Sequence, residues 1–252
     1  MLFDLYVAAP GWLQRLDPRT KLALLVSGAV LLLTVEGALP LAALLAALHL
    51  GLRASRVPWA RIGWVVSQLR FVLLVILLLF PWIAGVPGRI LVEVGPLAVT
   101  DASLLAAMET GLRLWGMSLL VTSLLFTTAQ PELVRGLVAL GLPYEWGLTL
   151  TTALRYIPSL ARQIEQIQEA QRARGWDAAR GDVLKRLSAL SPVFVALTIH
   201  VFRTVDTLTM AMTARGVGNP GPRTVRRPLR MQTRDWAALV IALLITVLWL
   251  VV

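Results

Sequence analysis

Residues 62–84 read IGWVVSQLRFVLLVILLLFPWIA, 23 residues in which Arg70 is the only charge. About 20 consecutive apolar residues, wound as a helix, cross the roughly 30 Å hydrocarbon layer of a bilayer. This run is therefore read as a membrane-spanning helix, and the rest of the chain is arranged around it. The composition agrees: of 252 residues, 57% are hydrophobic and 15% charged. A soluble domain of that length cannot hide so much apolar side chain.

Working outward, four further runs read as spans: about Leu22 to Val35, Leu41 to Leu52, Leu104 to Thr128, and Trp236 to Val252. Trp59, Trp64, Trp82, Trp236 and Trp249 fall near the ends of runs, where interfacial aromatics belong. The expected fold is all-α, a polytopic membrane protein with about five transmembrane helices and a cytoplasmic helical coupling region. It divides into residues 1–128, with about four spans, the coupling region 129–235, and a last span over 236–252. Asp4 precedes any apolar run, and Asp17–Lys21 breaks the stretch before the first span, so no cleaved signal is expected.

The formal charge of +10 lies mostly between the runs. Arg15, Arg19 and Lys21 precede the first span, and Arg53, Arg56 and Arg61 separate the second and third. Fifteen of the 24 Lys and Arg residues fall between the fourth and fifth. The connection from Gly85 to Asp101 holds only Arg89 against Glu93 and Asp101. Basic loops stay cytoplasmic, so the N-terminus is placed inside. Basic loops of a membrane protein account for the charge, and no nucleic-acid partner is expected. The chain has no cysteine, which excludes disulfides and thiolate metal sites.

Residues 129–235 hold two helices built alike. The first, PSLARQIEQIQEAQRARG (158–175), carries Leu160, Ile164, Ile167, Gln171 and Arg174 at spacings of 4, 3, 4 and 3, one helical face. The second ends TVDTLTMAMTARG (204–216) and repeats the spacing through Val201, Val205, Leu208, Met212 and Arg215. Each stripe thus ends on an arginine followed by a glycine, Gly175 or Gly216, placed to close its helix in the left-handed conformation. A cation before a terminal glycine is also ordinary helix termination. What goes beyond termination is the repetition of Ala173-Arg174-Gly175 and Ala214-Arg215-Gly216 at one stripe position. Arginine's planar fork suits bidentate contact with a partner's carboxylates or carbonyls. Pro158 and Pro192 break the helical pattern and are candidate hinges, or ordinary starts and stops.

With those residues in hand, the chain resembles the T component of energy-coupling factor transporters, of the EcfT/CbiQ type. Leu16-Asp17-Pro18-Arg19-Thr20-Lys21-Leu22 matches that family's opening motif, and Arg155-Tyr156-Ile157-Pro158 matches the lead into its first coupling helix. Residues 170–175 and 211–216 match its two Ala-Arg-Gly signatures, with Thr213 where an acidic residue is usual. The resemblance implies a transmembrane coupling subunit of an ATP-driven importer for vitamins or transition-metal ions. It implies two ABC-type ATPase subunits as partners, with Arg174 and Arg215 docking into them, and a small membrane substrate-capture subunit.

The chain itself has no P-loop, because neither lysine, Lys21 or Lys185, follows a glycine. It is read as non-catalytic, with no cofactor of its own, ATP being bound by the partners. Gly216, Gly218 and Gly221 fit G-x-G-x-x-G but follow a helix and enclose Pro220, so no dinucleotide site is read there. His49 and His200 stand apart without clustered carboxylates, and no metal site is expected. Arg70 and the pair Glu109 and Arg113 are charges inside spans, which mark either function or local pairing. Lipid headgroups account for the cluster Arg223, Arg226, Arg227, Arg230 and Arg234. Two rival readings stay open: a permease that binds solute itself, and a membrane scaffold with no ATPase docked through these motifs.

Overall fold

A computed structural model describes residues 6, 7, 11–94, 97–175, 190–219, 221 and 228–251. They form eight α-helices: α1 Pro18–Thr34, α2 Ala38–Ala54, α3 Trp59–Ile83, α4 Asp101–Thr127, α5 Gln130–Ala139, α6 Tyr144–Ala173, α7 Ser191–Ala214 and α8 Thr233–Val251. The all-α expectation holds. A small hairpin absent from the sequence reading joins α3 to α4, with β1 Ile90–Val94 antiparallel to β2 Leu97–Thr100.

Among the described residues, four helices are long and apolar enough to cross a membrane: α3, α4, α7 and α8. The clearest sequence run coincides with α3. At 17 residues each, α1 and α2 reach only about 25 Å at 1.5 Å per residue, short of the hydrocarbon thickness. The sequence reading assigns α7 to the coupling region. By length and composition it equals a span, since Arg203 and Asp206 are diluted by the apolar residues around them.

The chain divides into two compact units, Met1–Gly147 with Leu229–Val252, and Leu148–Pro228. In the first, α4 is the central helix, with α1, α2 and α3 packed on it and α8 running along α1. Leu45, Leu52, Val57, Ile62, Val65, Leu119 and Phe126 make one core cluster among α2, α3 and α4. Leu32, Val35, Leu41 and Leu120 make a second where α1 joins α2 and α4. Close approach of α1 to α4 depends on absent side chains: a Cβ on Gly116 would lie 2.7 Å from Leu32 Cδ2, and one on Gly28 would collide with Leu120 Cδ1. Helix α5 belongs to this unit, because its Gly136 sits against Pro18, where a Cβ would come within 2.9 Å. The first compact unit therefore continues past α5 to Gly147.

In the second unit, α6 and α7 carry the paired stripes. Helix α6 runs unbroken through Pro158, where the sequence reading starts the first of the paired helices. Proline removes one backbone donor and kinks a helix, and the long helix on both sides tolerates it. Pro192 lies in the first turn of α7, where the missing N–H has no partner to lose. The connection between α6 and α7, residues 176–189, lies outside the described residues, as do Arg223, Arg226 and Arg227.

Candidate functional site

The second Ala-Arg-Gly end is fully built. The Gly216 amide donates to Thr213 O at 2.9 Å and the Val217 amide to Met212 O at 3.0 Å, with Gly216 at φ +77°. These crossed bonds are a Schellman cap, which satisfies the last carbonyls of α7. Arg215 is the C-cap residue, at φ −92° and ψ 9°. The first end matches as far as it is described. The Arg174 amide donates to Gln171 O at 3.0 Å and the Gly175 amide to Arg172 O at 2.9 Å, with Gly175 at φ +86°.

The same cap closes α5 at Gly141 and α2 at Arg56, where Val57 donates to Leu52 O at 3.2 Å and Arg56 adopts φ +57°. Cap geometry is thus a general device of this chain. What sets residues 174 and 215 apart is the side chain at the C-cap. Both arginines are exposed, and among the described residues neither guanidinium has a hydrogen bond or ion pair. Each stands at the negative end of a helix dipole with its fork open.

The stripes behind them are largely the less exposed faces of their helices. Leu160, Ile164, Ile167 and Gln171 are half-buried, while Arg162, Glu165 and Glu169 on the opposite side are exposed or nearly so. On α7, Val201, Leu208 and Met212 are half-buried, but Thr204 takes the place expected of Val205, which is exposed. Thr213 turns its hydroxyl back onto Thr209 O and Met210 O, both at 3.0 Å.

The opening motif is a buried joint. Asp17 caps α1, its Oδ1 accepting from the Arg19 amide at 2.9 Å. Lys21 is 5% exposed, and its Nζ donates to Thr127 O at 2.9 Å, Thr128 Oγ1 at 3.1 Å and Gln14 O at 3.4 Å. A cation thereby meets the C-terminal carbonyls of α4, where the dipole favours it. Pro18 receives α5 at Gly136. Asp235, 1% exposed, accepts from the Asp17 amide at 2.8 Å through Oδ1 and from the Gln232 amide at 2.7 Å through Oδ2. One carboxylate therefore caps α8 and ties it to the start of α1. Sequence reasoning passes over Asp235. Its only signal is an acidic residue in the first turn of the last span, a common feature that names no partner.

The other sequence candidates resolve into local structure. Glu109 and Arg113 do pair, at 3.8 Å, and Arg113 also donates to Val35 O at 3.0 Å, capping the end of α1. Arg70 is exposed on α3. His49 hydrogen-bonds Leu45 O through Nδ1 at 2.8 Å and lies 5.9 Å from the Trp115 ring. His200 is exposed near Thr204. Among the described residues no group of His, Asp or Glu is placed to hold a metal ion.

Comparison with known proteins fits the multi-pass helical fold. Residues 10–225 match the family model CbiQ, described as a cobalt transport protein. The energy-coupling factor transporter transmembrane protein EcfT of Thermosediminibacter oceani is 32% identical, over 93% of this chain and 91% of its own length. That of Heliobacterium modesticaldum is 33% identical with the same coverage, and that of Listeria innocua 30% identical over 95% of this chain and 93% of its own. The order of motifs, the multi-pass helical fold and these matches agree, and the chain belongs to the CbiQ family, as a T component of the EcfT/CbiQ type.

Proposed function

We propose that this T component couples two ABC-type ATPase subunits to a small membrane subunit that captures the substrate. The observation that carries the reading is the matched pair of helix ends. Two stripes close on an exposed arginine, each followed by a left-handed glycine that ends the helix there. A guanidinium held at a rigid helix tip suits docking into an acidic or carbonyl-lined groove of a partner. Nucleotide-driven motion of the ATPases then displaces α6 and α7 as rigid levers.

Hydrolysis belongs to the partners, since this chain has no P-loop and needs no cofactor. The ATPases bind on the cytoplasmic side of the inner membrane, where fifteen of 24 basic residues place residues 129–235. Arg203 and Asp206 in mid-helix, both exposed, support α7 lying beneath the bilayer, because unpaired charges there are expensive. The cargo is a vitamin or a transition-metal ion, in keeping with relatives described as cobalt transport and energy-coupling factor proteins. The capture subunit sets which one.

The test is transport by the reconstituted complex. Arg174→Glu with Arg215→Glu abolishes uptake, either by releasing the ATPases or by leaving hydrolysis uncoupled. Full uptake by the double variant refutes the reading.

A further inference from the structure

Two cavities share one wall, Trp12. The first, about 300 Å³, lies among α1, α2 and α4 and is lined mainly by leucines, with Lys21, Ser123 and Thr127 the polar lining residues. Lys21 and Thr127 are hydrogen-bonded to each other, so polarity gathers at one end while Leu32 and Leu120 line the other. From Lys21 to Leu32 the cavity runs about 16 Å along α1, close to the depth of one bilayer leaflet. The second, about 330 Å³, is lined by Trp12, Arg15, Leu16, Arg234 and Ala238. Among the described residues neither Arg15 nor Arg234 has an ion-pair partner, and both are exposed.

An apolar slot one leaflet deep beside two exposed arginines matches the chemistry of an amphiphile with an anionic phosphate head. We propose that this face binds one anionic phospholipid, its phosphate between Arg15 and Arg234 and one acyl chain in the cavity among α1, α2 and α4. The guanidinium forks supply charge-assisted, bidentate contacts to phosphate oxygens. The slot is walled in part by α4, a helix long and apolar enough to cross a membrane, so bilayer lipid is the occupant at hand. Away from Lys21, Ser123 and Thr127 its apolar lining offers water few partners. The lipid site stands independently of ATPase docking.

The glycines supply a clean test. A Cβ on Gly51, which lines the slot, meets nothing within 4 Å, and the same is true of Gly63 on α3, which does not line it. Gly51→Leu therefore adds bulk at the slot wall with no clash at its Cβ, and Gly63→Leu is its control. The full chain in detergent is offered equal phosphatidylglycerol and phosphatidylcholine, and retained lipid is counted by native mass spectrometry. The wild type is expected to keep one phosphatidylglycerol, preferred about tenfold or more. Arg15→Gln with Arg234→Gln should remove the preference, and Gly51→Leu should remove retention, with Gly63→Leu unchanged. If Gly51→Leu is not monodisperse, Ala47→Phe fills the same slot.

Equal retention of both lipids by the wild type overturns the proposal. So does retention that survives slot filling, or that falls equally in Gly63→Leu, since that lipid is merely annular. Binding of inorganic phosphate without any retained lipid makes this a free-anion site and overturns it too.

Discussion

Removing the Asp235 carboxylate should loosen the last helix from the first. In Asp235→Ala, two short charge-assisted bonds disappear, 2.8 Å from the Asp17 amide and 2.7 Å from the Gln232 amide. The Asp17 amide is then buried without an acceptor. Hydrogen bonds to a charged group contribute about 1.5–3 kcal/mol each, and a stranded buried donor costs a similar amount. Compensation by relaxation and water at the exposed Gln232 side brings the expected loss to about 2–4 kcal/mol. Asp235→Asn keeps one acceptor and turns an N–H donor toward the other amide, so about half of that loss is expected. The assay is thermal unfolding of the purified protein followed by fluorescence-detected size exclusion, with single cysteines on α1 and α8 reporting their separation. The cysteine-free background makes such labels unique. An alanine variant as stable as wild type, with the α1–α8 distance unchanged, refutes the assignment of Asp235 as the tie.

Arg56 sits at φ +57°, a conformation that costs a side-chain-bearing residue about 1–2 kcal/mol and glycine almost nothing. Arg56→Gly should therefore raise the melting temperature, and a fall would show that the arginine side chain compensates its own strain. Gly28→Val should destabilise by about 1–3 kcal/mol, because its Cβ collides with Leu120, whereas Gly63→Val meets open space; equal melting of the two would contradict the packing. Lys21→Met leaves Thr127 O and Thr128 Oγ1 without their donor and should cost about 1–3 kcal/mol by thermal melting. Gly216→Ala strains the cap by about 1 kcal/mol while leaving Arg215 in place, so ATPase binding should persist at lower helix stability.

Much of the fold is legible in the sequence because the physics is local. Hydropathy over 20 or so residues finds α3, α4 and α8, since a span is defined by its own composition. Spacings of three and four find the inward stripe of α6, and glycine after arginine finds both caps. Sequence reasoning fails where distant residues decide. Asp235 gains its meaning from the Asp17 amide, 218 residues away in the chain, and no periodicity encodes that. A proline signals a break, so the continuity of α6 through Pro158 goes unseen, yet 30 residues of helix carry one missing bond. The hairpin at Ile90–Thr100 hides in a connection too short to raise a strand pattern above the neighbouring spans. On α7 the stripe passes through Thr204 rather than the adjacent Val205, because spacings of 3 and 4 fit either choice and only packing selects between them.

The central claim, that Arg174 and Arg215 hold the ATPases, is tested most directly by co-purification. Tagged chain is extracted from its native membranes as wild type and as Arg174→Glu with Arg215→Glu, and retained subunits are identified. The account predicts ABC-type ATPases and a small membrane protein with the wild type, and loss of the ATPases from a variant that still elutes as a monodisperse species. ATPases that remain fully bound to the double variant, or that are absent from an intact wild-type preparation, contradict it.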